Sequence, residues 1–404
     1  MNVIVSPAKL SGTVTVPPSK SVAHRMLIGA ALAEGPTEVL LSAFNRDIDA
    51  TMNCLRALGT DIDREQGALI LKAPERIVDP VVMDCHESGS TLRFMLPVVL
   101  ALGLKARFIG RGRLPERPNA PLVDALRDHG ARIDSDRLPM GVKGPIDPGL
   151  WRLPGNVSSQ YITGLMLALP LLPGDSRIVL TSSLESSAYV NITRRVLERF
   201  GIDVRPEADG WFVPGHQRYH SPGCLQVEGD WSSAAFWLAA NAMGAGIDVK
   251  GLDPQSAQGD RAITDLLKAP EVDVRHVPDL VPALAVAAGM QAHTIILTGA
   301  ARLRLKESDR LTSVSNMMRA LGHRTVEGTD SLTIFGGASI PSEAPIRTVD
   351  GANDHRIVMA AAIGGSYSDR PVRILGAEAV DKSYPDFFQN LKALGGTVHV
   401  ESVG

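Results

Sequence analysis

One pattern recurs six times along this chain and limits what it can fold into. A polar cluster precedes a long apolar run, an amphipathic segment follows, and an alternating or apolar stretch completes the unit. Five of the amphipathic segments close on glycine, at 55–59, 126–130, 197–201, 318–322 and 391–395, and a degenerate sixth lies at 266–270. Gly59, Gly130 and Gly201 succeed one another at intervals of 71 residues, and Gly322 precedes Gly395 by 73. Such self-similarity means one supersecondary unit used repeatedly. The apolar runs at 26–32, 92–102, 162–172, 234–243, 280–288 and 357–363 have no polar stripe, which predicts buried helices. Ile48, Met52, Leu55 and Leu58 recur at three- and four-residue spacing, as do Leu311, Val314, Met318 and Leu321, which predicts a second, amphipathic helix per unit. A closing glycine suits the left-handed residue that ends a helix. Strand signals follow at 68–71 and 331–335. The expectation is an α/β (α+β) protein of six βαβαββ-like units. A chain of 404 residues exceeds one usual core, so three units per domain are expected.

Composition removes several classes of function. A net charge of −3 argues against nucleic-acid binding through bulk charge, and 4% aromatic residues argue against stacking platforms for single strands. Cys54, Cys85 and Cys224 lack metal-ligand spacing, and their odd number does not suggest a disulfide framework. No apolar run is long enough to span a membrane, and Met1 to Val5 reads as a strand rather than a signal or transit segment. A cytoplasmic enzyme is expected. HExxH, GxxxxGK[ST] and GxGxxG motifs are absent, so no metal, P-loop or dinucleotide chemistry is implied.

The chemistry gathers where helices begin. The buried helices open with Ser19-Lys20-Ser21, Ser88-Gly89-Ser90, Ser158-Ser159-Gln160, Asp230-Trp231-Ser232, Asp279, and Asp354-His355-Arg356. Ser and Asp there read as ordinary N-caps. Lys20, Arg25, Arg93, His355 and Arg356 do not, because a helix N-terminus already carries partial positive charge. Several cations so placed make sense if an anion sits among them. Lys306 and Arg310 read as a like-charge pair on one helical face, with Glu307 as a surface partner of Arg310. Arg113, Arg117 and Lys382 precede other second helices. If both kinds of helix start faced one cleft, it would hold Lys20, Arg25, Arg93, Arg113, Lys306, Arg310, Arg356 and Lys382. Eight cations suit substrates bearing phosphates and carboxylates. Asp279, Glu307 and His355 are the titratable groups left to move protons.

These clusters resemble the signature segments of the 3-phosphoshikimate 1-carboxyvinyltransferase (5-enolpyruvylshikimate-3-phosphate synthase) family, from Val16 to about Leu394. The segments are 18–25, 87–93, 158–161, 228–233, 305–310 and 354–356, in family order. The resemblance implies transfer of the enolpyruvyl group of phosphoenolpyruvate to the 5-hydroxyl of shikimate 3-phosphate, with release of phosphate and no metal or organic cofactor. It places Lys20, Ser21, Arg25, Ser158, Ser159, Gln160, Ser186, Tyr189, Asp279 and Lys306 on shikimate 3-phosphate. It places Lys20, Gly89, Arg113, Gln160, Arg310, Arg356 and Lys382 on phosphoenolpyruvate. It implies an inside-out α/β barrel in each of two domains, residues 1–18 with 229–404 and residues 19–228, closing on a cleft, and a monomer. Asp279 is expected as the base, Glu307 as the proton donor to carbon, Lys20 as an aid to both proton transfer and phosphate departure, and His355 as an orienting or relaying group.

The chain departs from the family pattern at Pro18, His24, Glu87, Ser90, Phe94, Ser187, Ala188 and Arg302. The region from Gly89 to Phe94 is where the family's glyphosate response is decided. Two alternatives are weighed. UDP-N-acetylglucosamine 1-carboxyvinyltransferase shares the chemistry, but it usually carries a Cys in the loop that here runs from Gly110 to Pro118 without one. A non-catalytic anion-binding repeat protein would keep the glycine caps but have no use for Asp279 and Glu307 among so many cations.

Overall fold

The computed structural model describes residues 1–77, 79–291, 294–337, 340 and 344–401. The repeats appear as alternating helices. The buried series is α1 (Lys20–Leu32), α3 (Gly89–Ala101), α5 (Ser159–Ala168), α7 (Trp231–Ala242), α9 (Val281–Met290) and α11 (His355–Ser366). The amphipathic series is α2 (Arg46–Ala57), α4 (Ala120–Asp128), α6 (Ser187–Arg199), α8 (Ile263–Leu266), α10 (Arg310–Ala320) and α12 (Phe387–Ala393). All twelve residues of α11 are buried, as the unbroken apolar run demands. Each of the five closing glycines has a left-handed φ, between +75° and +97°.

Each unit runs strand, buried helix, parallel strand, amphipathic helix, then two strands that fold back. Val81–Asp84 pairs in parallel with Lys105–Ile109 across α3. Met140–Lys143 then pairs antiparallel with Lys105–Ile109, and Arg132–Ile133 with Met140–Lys143. The same order recurs in the sheets built on Ser176–Leu180 and Ile295–Thr298. Distant segments complete the remaining units. Cys224–Gln226 supplies the first strand of the unit containing α1, beside Thr37–Leu40. Asn2–Ser6 lies between Val372–Leu375 and Thr397–Glu401, and Ser11–Thr15 pairs in parallel with Gly246–Lys250. The chain thus divides into two compact units, Met1–Pro17 with Gly229–Gly404, and Pro18–Glu228.

Two segments differ from the reading of the sequence. The run 162–172 does not make one helix: α5 stops at Ala168 and a 3-10 turn covers Leu169–Leu171, because Pro170 has no N–H to continue the ladder. In the degenerate unit, α8 is a single turn and only Ser11–Thr15 and Gly246–Lys250 form its sheet.

Pro97 lies inside α3 and leaves the carbonyl of Arg93 without its helical donor. Gly164 of α5 packs against that carbonyl, where an added Cβ would stand 2.1 Å from Arg93 O and 3.1 Å from Pro97 Cγ. Backbone meets backbone, so neither helix can yield by turning a side chain. Gly164→Ala is expected to destabilise at the upper end of about 1–3 kcal/mol. Gly103→Ala, with a φ of +74° and open space around it, should cost about 1–2 kcal/mol through its backbone alone. Urea melts of both variants check this; a Gly164→Ala loss smaller than that of Gly103→Ala would contradict the close backbone contact.

Candidate active site

In the unit comprising Met1–Pro17 and Gly229–Gly404, the openings of α9, α10 and α11 meet at one guanidinium. Arg310, 1% exposed, donates from Nε to Asp354 Oδ2 at 2.9 Å and from Nη1 to Asp279 Oδ1 at 2.7 Å. Its Nη2 donates to Glu307 Oε2 at 2.5 Å and to Asp354 Oδ1 at 3.3 Å. Burial opposes the Arg310 charge, but the carboxylates of Asp354, Glu307 and Asp279 outweigh it and raise its pKa. Asp279 gathers two further cations: Arg356 Nη2 lies 3.0 Å from Oδ2, and Lys306 Nζ lies 3.6 Å from Oδ1. Burial lowers the Lys306 pKa to about 8, against the raising effect of Asp279. Lys382 is also buried and donates to the Asn353 carbonyl at 2.8 Å. Ala352 and Asn353 both take left-handed φ values, 50° and 51°, a strained pair that turns this carbonyl toward Lys382. His355 is buried beside Asp354, with Nδ1 3.9 Å from its carboxylate.

Four expectations need correction here. Lys306 and Arg310 do not share a helical face, because Lys306 ends the 3-10 turn Ala301–Leu305 and α10 starts only at Arg310. The Glu307–Arg310 pair is not a surface pair, since the guanidinium is buried. Asp354 is more than a cap: it accepts the Arg356 amide while clamping Arg310 and taking the Ser308 hydroxyl. Asp279 caps nothing in the helical sense; it sits in a 3-10 turn ahead of α9 and faces the cations.

In the unit Pro18–Glu228, the cations are placed differently. Lys20 Nζ pairs with Asp47 Oδ2 at 2.8 Å, from the first turn of α2. Arg25, 2% exposed, donates from Nε to Thr193 at 2.8 Å and from Nη2 to Thr163 and the Tyr189 carbonyl. Its Nη1 bonds the Ser21 carbonyl, which leaves that nitrogen a second N–H. Among the described residues no carboxylate pairs with Arg25, and burial draws its pKa down to about 9. A buried cation without a counter-charge is costly, and a bound anion would offset that cost. Ser19 was read as a cap, but it makes no side-chain cap bond to α1. Ser158 does cap α5, and Ser159 is buried beside it. Gln160 is held at both ends of its amide, by Ser90 Oγ at 2.9 Å and Arg93 Nη1 at 2.6 Å.

Arg93 is spent within the protein. It also donates to Asn119 at 3.1 Å and the Pro118 carbonyl at 3.0 Å, so it braces Gln160 rather than offering a free charge. An added Cβ at Gly89 would meet Arg117 Nη1 at 2.7 Å, so the glycine makes room for that guanidinium. Arg113 is partly exposed and lies 3.7 Å from Glu116, a loose surface pair outside these hydrogen-bonded groups. Ser186 is buried in a left-handed conformation at the opening of α6, and Tyr189 contributes its carbonyl to Arg25. His24 is buried with a pKa lowered to about 3 by desolvation, and its neutral ring bonds Thr51 at 2.7 Å. A chain of hydroxyls continues from Thr51 to Thr91 and Ser88, tying α1, α2 and α3 together.

The sequence reading missed Asp47, which stands 27 residues from Lys20 on another helix, and Asp260. Asp260 is buried and accepts the Ser232 hydroxyl. Burial, then the Asp279 charge, raises its pKa to about 7 against the pull of Arg356. Among the described residues no group of three or more His, Cys, Asp or Glu side chains is placed to hold a metal. No described helix is long and apolar enough to cross a membrane.

Solved structures share this architecture. An Acinetobacter baumannii EPSP synthase superposes with a TM-score of 0.82 at 24% identity, covering 99% of this chain and 100% of that one. The enolpyruvyl transferase NikO of Streptomyces tendae gives 0.77 at 16%, covering 98% of both chains. The fold is therefore that of the enolpyruvyl transferases. Sequence relatives narrow it. The 3-phosphoshikimate 1-carboxyvinyltransferase of Clostridium kluyveri is 39% identical across 100% of this chain and 99% of its own length. That of Clostridium acetobutylicum is 38% identical across 99% of each. The model of the family "EPSP synthase (3-phosphoshikimate 1-carboxyvinyltransferase)" matches residues 4–270 and 265–391, and the chain belongs to that family.

Asp260 yields a stability test. An unfolded Asp titrates near 3.8, whereas folded Asp260 titrates near 7, so folding favours its protonated form. That contribution is whole below pH 3.8 and lost as pH rises through about 7. Asp260→Asn keeps an acceptor for Ser232 and removes the charge. It is expected to melt above wild type at pH 8 and level with it at pH 4; a constant offset across that range would contradict the assignment.

Proposed function

We propose that the chain transfers the enolpyruvyl group of phosphoenolpyruvate to the 5-hydroxyl of shikimate 3-phosphate and releases phosphate. The observation that carries the proposal is the Asp279 carboxylate held by Arg310, Arg356 and Lys306 at 2.7, 3.0 and 3.6 Å. Asp279 is thereby fixed in place as the carboxylate assigned to accept a proton. In the addition step, the 5-hydroxyl oxygen bonds to the enol-phosphate carbon of phosphoenolpyruvate, its proton passes to Asp279, and Glu307, in its protonated form, gives a proton to the methylene carbon. In the elimination step, the bond from that carbon to the phosphate oxygen breaks, the departing phosphate takes the proton held by Asp279, and the methyl group returns a proton to the Glu307 carboxylate as the double bond is restored. Arg25, with its remaining N–H, and Lys306 are assigned to shikimate 3-phosphate. Arg356, Arg310 and Lys382 are assigned to phosphoenolpyruvate. Lys20 is assigned to both substrates, and His355 to orienting or relaying protons. Cations fixed before substrate arrives stabilise developing charge without reorganising.

Phosphate release on mixing both substrates tests the reading directly. Asp279→Asn and Glu307→Gln are each expected to lower kcat by about 10²–10⁴-fold, the range for acid–base groups. Near wild-type turnover in both would overturn the proton-transfer roles.

The Lys306 ammonium loses its charge near pH 8, so kcat/KM for shikimate 3-phosphate should fall above that pH. Lys306→Arg keeps its charge and should move this alkaline limb upward. A limb that stays in place would assign it to another group.

A further inference from the structure

A second cationic surface lies on the outer face of the sheet that contains Val81–Asp84 and Lys105–Ile109. Register pairs Lys105 with Lys143, and Lys143 with Arg132, so three cations stand in one row across three adjacent strands. Like charges directly opposite one another destabilise a sheet. Arg107 projects from the same face two residues beyond Lys105, opposite Val82. All four cations are exposed, and among the described residues none forms an ion pair with a carboxylate. Two acids lie nearby without pairing with these cations: Asp79 accepts the Lys105 amide, and Asp134, at the margin of the same hollow, accepts the Gly141 amide. The row borders a hollow of about 810 Å³ whose margin includes Val82, 57% exposed, and Pro80.

From this we infer a binding site for an organic polyphosphate of the nucleotide class, separate from the catalytic clusters. The charge argues for the polyphosphate. Neighbouring strands are about 4.8 Å apart, so the row spans roughly 10 Å. A chain of linked phosphates matches that line of positive charge better than a single phosphate does. The volume falls in the range of small-molecule sites, and the apolar margin at Val82 and Pro80 would receive a flat base. Cations directly opposite one another repel, and an anion bound along the row would offset that repulsion. This inference does not rest on the proposed reaction.

Calorimetric titration of the full chain with ATP, AMP and tripolyphosphate tests the site. ATP is expected to bind saturably, at least tenfold tighter than AMP, with tripolyphosphate competing and added salt weakening binding. The double variant K105Q/K143Q should lose at least tenfold in ATP affinity, keep its phosphate-release activity and melt no lower than wild type. Arg107→Gln is a second, independent variant with the same expectation for affinity. No saturable binding at millimolar ATP would overturn the inference. So would ATP binding that survives K105Q/K143Q and Arg107→Gln, which would locate it among the catalytic cations. Preference for a short RNA over ATP would show a surface for nucleic acid and also overturn it.

Discussion

A single buried guanidinium organises one half of the chemistry. Arg310 sits among Asp354, Asp279 and Glu307, which come from the openings of three helices in two successive repeats. Placing a charge there costs several kcal/mol of desolvation, and three carboxylates offset it only if all hold their geometry. The strands and helices that fix those openings therefore cannot drift independently. The pairing of Asp279 with Arg356 and Lys306 follows from that anchorage, because Asp279 shares one oxygen between Arg310 and Lys306.

The unit Pro18–Glu228 solves a related problem without a carboxylate at its centre. Arg25 is steadied by hydroxyls and carbonyls from α1, α5 and α6, which satisfy its donors but leave its charge unneutralised. Hydroxyls orient a guanidinium and do not compete with an arriving anion as carboxylates would. The two units thus treat a buried guanidinium differently: one surrounds it with carboxylates, the other with neutral oxygens.

Much of this was legible in the residues. The period of the glycines and the unbroken apolar runs encode helices of two kinds, and φ values at Gly59 and Gly322 show why glycine closes them. The positions of Lys20, Arg25, Arg310 and Arg356 at helix openings were readable too, since cations there run against the helix dipole. What could not be read was where each charge is directed. Arg93 and Arg25 look alike in sequence, yet one is consumed by Asn119, Gln160 and Pro118 while the other has no counter-charge. Asp47 and Asp260 carry no local signal, because their partners come from other helices. Asp354 has the spacing of a plain cap, and only the fold reveals that the same carboxylate holds Arg310.

The strand order also carries a consequence for synthesis of the chain. Asn2–Ser6 occupies the middle of a sheet whose flanking strands are Val372–Leu375 and Thr397–Glu401. Asn2–Ser6 must therefore wait for two strands that are synthesised long after it. The segments of the unit Pro18–Glu228, by contrast, are all made before Gly229 appears. Domains fold as units and earlier ones first during translation. The Arg25 half can thus mature before the strands that flank Asn2–Ser6 have been made.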